Sequence, residues 1–196
     1  MNKFSPNFKV FHSWACKYAR KHNKKIDIRP TFYVRNGGNC LGYCDGDTMV
    51  VARKDELFED TFVHEFSHLM QAVNRIPLWR DGHDDSFYCD LKSKSVSMNS
   101  WSSFWQILTI EHDCEFRAIK LVKRWNLGCD KKYAQRANAH LYYLCYLFIN
   151  NSEIPYDQSF PDITDKMPKT LCSLQSFKKI DMNIMEFIFE KCNPIQ

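Results

Sequence analysis

Two histidines and a glutamate in residues 61–70, Thr-Phe-Val-His-Glu-Phe-Ser-His-Leu-Met, have the types and spacing for metal chemistry. On a helix, side chains four residues apart project from one face, so His64 and His68 can share one metal ion. Glu65 stands about 100° round the helix from His64. From there its carboxylate can take a proton from water activated by that ion. Zinc lowers the pKa of such a water to about 7, so one weak base is enough. The pattern points to metal-assisted hydrolysis, with a single zinc ion held by His64 and His68 and with Glu65 as general base.

A helix must present these groups, and its pattern is suited to that. With His64 as the zero of the helical wheel, Leu57, Thr61, His64, His68 and Gln71 fall on one side. Phe62, Phe66, Leu69 and Val73 fall on the other. The helix therefore has an apolar back to dock into a core and a polar front that carries ligands. Asp55 is placed to cap its start, and Pro77 lies just beyond its end.

A catalytic zinc ordinarily has three protein ligands. The metzincin pattern is excluded, because Gln71 stands at its glycine and Asn74 at its last histidine. His83 is reachable but lies in a polar, irregular stretch, 79–100, which reads as a long loop over the site. The stronger candidate is a helix over 102–127, ended by Gly128 at C′. Its apolar stripe is Phe104, Ile107, Leu108, Cys114, Ala118, Leu121 and Val122, and Glu111 and Glu115 fall in the middle of it. Burying an unpaired carboxylate costs several kcal/mol, so a cation should meet the pair. That cation is either an arginine or lysine, or the ion on His64 and His68. In the second reading Glu111 is the third ligand, and Glu115 accepts the ring N–H of a ligand histidine.

The segment Glu111-x-x-Cys114-Glu115-x-x-Ala118 resembles the second motif of gluzincin peptidases, E-x-x-A-D-x-x-A, with Cys for Ala and Glu for Asp. In that family the first acid binds zinc and the second is its outer partner. More closely, the chain is similar to a group of phage-encoded HExxH proteins. The features shared are a Gly-rich hairpin (Gly42 to Arg53), the His64 to His68 helix, the Glu111 to Glu115 segment, Ala137-Asn138-Ala139, and a late Met167 and Pro168. Together they cover most of residues 39–170. The resemblance implies a zincin-like fold and a metallopeptidase activity, without a substrate.

The remaining chain supplies the frame. Residues 5–23 predict a packing helix with Phe8, Phe11, Trp14, Ala15 and Tyr18 on one stripe. Residues 26–35 favour β structure up to Gly37 and Gly38. Residues 39–44 and 48–53 then flank Asp45 and Gly46, a hairpin turn signal. The hairpin is either structural or offers its edge to an extended peptide. Residues 133–150 predict a third helix with Ala137, His140, Leu141, Leu144, Cys145 and Phe148 as its stripe. There His140 reads as a core histidine or, with Tyr142 and Tyr143 nearby in sequence, as the group that binds an oxyanion. The tail from 151, with Pro155, Pro161 and Pro168, reads as wrapping loops with a short helix near 182–191.

With 196 residues, 44% of them hydrophobic, the chain suits one domain spanning 1–196, its N-terminal helix within 1–25 and its tail at 151–196. A net charge of +4 does not imply a nucleic-acid partner. There are nine cysteines and no Cys-x-x-Cys pair, and those in apolar stripes behave as small hydrophobes. Cys40 and Cys44 alone are a poor basis for a second, structural zinc. No apolar leader and no membrane span is found, so the expected setting is the cytoplasm, with reduced thiols. The architecture expected is α+β and zincin-like, acting on a peptide or protein. Two rivals are a zincin-fold binding or inhibitory module without catalysis, and a DNA-associated protease of the SprT-like kind. The intact Glu65 argues against the first, and the missing paired cysteines against the second.

Overall fold

Ser5 starts the first helix by two devices. Its Oγ accepts the Phe8 N–H at 3.3 Å, and Pro6 at the first helical position needs no amide partner. Helix α1 runs Pro6–Lys21. It ends in a Schellman turn with Asn23 in the left-handed region, φ 56°, and Lys24 N–H bonded back to Ala19 O at 2.9 Å. The structure is a computed structural model and describes residues 4–34, 40–74, 100–150 and 164–178. The elements that follow α1 are β1 (Lys25–Arg29), β2 (Gly42–Cys44), β3 (Thr48–Ala52), α2 (Phe58–Val73), α3 (Ser100–Trp125), α4 (Asp130–Asn150) and a 3₁₀ turn (Leu174–Lys178). The protein is therefore a mixture of helices and one small sheet, an α+β fold. Ser100, expected at the end of a loop, already begins α3; Pro77, His83, residues 79–99 of that loop, residues 151–163 and the expected helix near 182–191 lie outside the described residues.

The chain divides into two compact units, Met1–Arg80 with Cys114–Tyr133, and Asp81–Asp113 with Ala134–Gln196. In the first unit the strand order is β1-β3-β2. β1 pairs parallel to β3, and β2 pairs antiparallel to it. The hairpin forms at the predicted place. Gly46 takes φ 90°, and Asp45 Oδ1 accepts the N–H of Asp47 at 2.9 Å and of Thr48 at 2.6 Å. β3 is buried on both faces, which explains its unbroken run of Met49, Val50, Val51 and Ala52. Val50 and Ala52 pack with Val34, Cys40 and Tyr43, which leaves Met49 and Val51 for the other face.

The apolar back of α2 meets the stripe of α1 in an aromatic core. Phe8 and Phe62 meet edge to face at 5.3 Å, and Phe11 and Phe66 at 5.7 Å. Ser5 ties the two helix starts together, donating from N to Glu59 Oε1 at 2.8 Å and from Oγ to Glu59 Oε2 at 2.9 Å. Asp55 is not the cap of α2. The helix begins two residues later than that cap would place it, after Leu57, and Asp55 Oδ1 instead accepts the Leu57 N–H at 2.7 Å in a preceding turn. The end of α3 also differs from expectation. Asn126, φ 50°, is its left-handed residue, and Leu127 N–H reaches Val122 O at 3.1 Å. Asn thus takes the role expected of Gly128, because its short polar side chain tolerates that backbone.

The second unit packs Phe104, Ile107 and Leu108 of α3 with Leu141, Tyr142 and Cys145 of α4, together with Met167 and Phe177. Two amides of α4 hold the 164–178 segment. Asn138, fully buried, donates to Pro168 O at 3.0 Å and Thr170 O at 2.8 Å, and its Oδ1 accepts the Cys172 N–H at 2.8 Å. Gln135 donates to Met167 O at 3.0 Å. His112 of α3 donates from Nε2 to Cys172 O at 2.8 Å. A buried amide with three backbone partners gives the Ala137-Asn138-Ala139 segment and the Met167–Pro168 segment one shared purpose. Asn138→Ala should therefore lower stability by about 2–4 kcal/mol, read as a lower urea midpoint. Asn138→Asp, the same shape without the two donors, should lose most of the same amount.

Candidate functional site

Helix α2 brings His64 and His68 together as its period requires, with His68 Nε2 3.2 Å from His64 Nε2. The other nitrogen of each ring faces an oxygen. His64 Nδ1 lies 3.1 Å from Glu115 Oε1, and His68 Nδ1 lies 2.8 Å from Gln71 Oε1. A carboxylate or amide oxygen can only accept, so each Nδ1 carries a proton and donates it. In neutral rings both Nε2 atoms would then be unprotonated, and two lone pairs at that distance repel. A cation between them removes the conflict. Two nitrogens bound to one tetrahedral zinc at ordinary bond lengths stand about 3.3–3.4 Å apart, close to the separation found. The residues therefore fit a metal ion, and they fit it with both rings already in the tautomer that ligation needs.

The polar front of α2 is covered in part, with Leu57 exposed, Thr61 and His64 half-buried, and the rest enclosed. Gln71 is fully buried, His68 is 7% exposed and Glu65 is 8% exposed. Packing of α2 against β2, β3 and α3 covers part of this side as well as the apolar one. Cys114 sits behind His64, its thiol donating to His64 O at 3.3 Å. Burial of the His64 ring disfavours its charge, but Cys114 and Glu115 beside it favour the cation and raise its pKa well above the usual histidine value. In metal-free protein, His64 carrying both protons would donate to Glu115 on one side and to the bare His68 Nε2 on the other.

His64, His68 and Cys114 form one group whose ligand atoms could hold a metal ion. The sulfur lies 3.8 Å from His64 Nδ1, on the ring's protonated side, so we place it outside the ligand set. Glu115 stands where an outer partner of His64 is expected. Glu111 is buried one turn earlier on α3, and His140 is half-buried on α4; both belong to the second compact unit. The thiols of Cys40, just before β2, and of Cys44, within it, are held by other groups. Cys40 donates to Gly42 O at 2.8 Å, and burial pushes the Cys44 thiol up to about 12, against the pull of nearby His68. An open groove of about 430 Å³ on the first unit is lined by Lys9, Val10, Ser13, Trp14, Lys17 and Trp125, none of them a site residue.

No family model matches the chain, and no curated protein or solved structure matches it. The site is therefore read from its own geometry. Sequence reasoning missed two participants. The helical wheel puts Gln71 on the ligand-bearing face but assigns it no role, although its place three residues after His68 puts it beside that ring. Gly42 reads from sequence as part of a hairpin; that a Cβ there would lie 2.8 Å from Glu65 Cγ is a tertiary fact without a local signal.

If this arrangement holds zinc, His64→Ala should abolish tight binding. Glu115→Ala and Gln71→Ala should each weaken it about 10–100-fold, as measured by competition with a chromophoric chelator. The pH dependence has a definite sign. A pKa raised on folding means that charge on His64 stabilises the metal-free fold below about pH 6.5, and that this contribution is lost as pH rises through the folded value. Zinc must displace that proton. Calorimetric titration of metal-free protein at pH 7, in buffers of different ionisation enthalpy, should report about one proton released, and fewer for Glu115→Gln.

Proposed function

We propose that this chain is a zinc-dependent peptidase with a zincin-like arrangement, and one observation carries the reading. Two histidine Nε2 atoms stand 3.2 Å apart with each Nδ1 already bonded to an oxygen, and Glu65 is the next residue in the same helix. Zinc binding alone does not require Glu65. A buried carboxylate beside two metal-ligating histidines is suited to moving protons.

In this reading His64 and His68 hold the ion, while Glu115 and Gln71 fix the ring orientations. The third ligand we assign to Glu111 on helix spacing, since it precedes Glu115 by one turn of α3. When bound, zinc would supply Lewis acidity and make water acidic enough to lose a proton near neutral pH. Glu65 takes that proton and delivers it to the leaving amine. His140 is our candidate for stabilising charge on the carbonyl oxygen of the scissile bond.

The sheet supports a peptide as substrate. β2 is the edge strand of the described sheet, and its register with β3 decides which of its groups are free. Asp45 N–H bonds to Thr48 O at 3.1 Å and Ala52 N–H to Leu41 O at 2.8 Å. Antiparallel pairs alternate, so Gly42 opposite Val51 and Cys44 opposite Met49 are the pairs without mutual bonds. Their backbone groups point away from β3, where an extended peptide can add as a further strand; Gly42 O already accepts the Cys40 thiol at 2.8 Å, so pairing there would displace it. This edge lies against the helix that carries Glu65, which favours a peptide over a compact small molecule as substrate.

The decisive variant is Glu65→Gln. It should keep one zinc per chain and lose hydrolysis of any cleaved peptide by about 10²–10⁴-fold, because the amide cannot accept a proton. Glu111→Ala should instead lose the zinc itself, seen by elemental analysis of the purified protein. Near wild-type turnover in Glu65→Gln would remove the assigned base.

A further inference from the structure

Gly42 sits on β2 facing α2, and the space beyond its Cα is already taken. A Cβ at that position would lie 2.8 Å from Glu65 Cγ, 2.9 Å from Glu65 Oε1 and 2.9 Å from Thr61 Cγ2. Conformation does not explain the glycine, because the left-handed glycines of the described residues are Gly46 and Gly128. The explanation is room.

Neither backbone can step back. Gly42 is paired opposite Val51, which is fully buried, and the neighbouring bond from Ala52 N–H to Leu41 O, 2.8 Å, holds the strand in place. On the other side, α2 is anchored through Phe62 and Phe66, both fully buried in the aromatic core. With both backbones held, the side chains must give, and of Glu65 and Thr61 it is the longer, unbranched Glu65 that can move, because Thr61 is β-branched and stiff. We propose that Gly42 is a positioning residue for Glu65: by lacking a Cβ it lets the carboxylate lie against the edge strand, and so sets the base in register with a peptide added along that edge. This deepens the peptidase reading and rests on it for its catalytic consequence. The contact itself stands independently of that reading.

The consequence differs from that of an ordinary packing glycine. A Cβ at 42 removes no metal ligand and no hydrogen-bonding group. It displaces one carboxylate, and a misplacement of about 1 Å in a reacting group can cost on the order of 10²-fold in rate.

The test compares zinc-loaded full-length wild type, Gly42→Ala, Glu65→Ala and the double variant by thermal melts and zinc content. It adds kinetics for Gly42→Ala on a quenched fluorescent peptide that the wild type cleaves. Overpacking by Gly42→Ala should lower the melting midpoint by about 5 °C in wild type and by less than about half as much in Glu65→Ala, where two of the three nearest obstructing atoms are gone. Zinc should stay at one per chain in Gly42→Ala. Its kcat should fall by about tenfold or more, with KM within about threefold. Equal thermal penalties in the two backgrounds would overturn the proposal, since the strand or Thr61 would then be absorbing the clash. So would an unchanged kcat in Gly42→Ala. Should Gly42→Ala not fold, folding of the double variant supports the contact and its failure to fold overturns it. If the wild type cleaves no peptide, the peptidase reading fails, and the melts alone decide whether Gly42 sets Glu65.

Discussion

Two ring nitrogens 3.2 Å apart, each in a ring whose other nitrogen is bonded to an oxygen, need positive charge between them. This constraint ties together parts of the chain that are otherwise unrelated. The spacing within α2 makes the rings neighbours. Gln71, on the same helix, fixes one of them. Glu115, fifty-one residues after His64, fixes the other, and it can do so only because α3 is docked against α2. A helix with two histidines at this spacing is common chemistry. Outer partners that put both rings into the ligating tautomer are what suit it to a metal ion.

Much of the first unit serves to hold α2 still. Its back is set among the aromatic rings of α1, and its front is covered in part by β2 and α3. Burial on both sides lowers the local dielectric, which strengthens every charge–dipole contact around the histidines and makes unsatisfied groups costly. The nearby cysteines are consistent with this. Cys44 is kept protonated by burial, and Cys114 spends its hydrogen on a backbone carbonyl. Both act as small packing groups next to the site. Among the described residues no helix is long and apolar enough to cross a membrane.

The second unit uses a different means of fixation. Its 164–178 segment has little regular structure, and side-chain amides on α4 take over the pairing that a strand would otherwise provide. Asn138 satisfies two carbonyls and one amide of that segment, and His112 of α3 satisfies a third carbonyl. These bonds are buried or partly buried, so their loss leaves backbone groups without water as a substitute.

Local periodicity made much of this protein legible from sequence. The α1 stripe, the hairpin at Asp45 and Gly46, the α2 helix with its paired histidines, and the placement of Glu115 in an apolar stripe all follow from spacing along one element. Helix ends were less legible, as Asn126 in place of Gly128 and Leu57 after Asp55 show, because several residues can close or open a turn at similar cost. What only the tertiary structure decided is which faces meet. That the polar side of α2 is partly covered, that Glu115 reaches His64 Nδ1, and that Gly42 leaves room for Glu65 all depend on elements far apart in the chain. Sequence patterns report the direction in which a side chain leaves its own helix or strand. They carry no record of the atom it meets, because that is set by the packing of whole elements against one another.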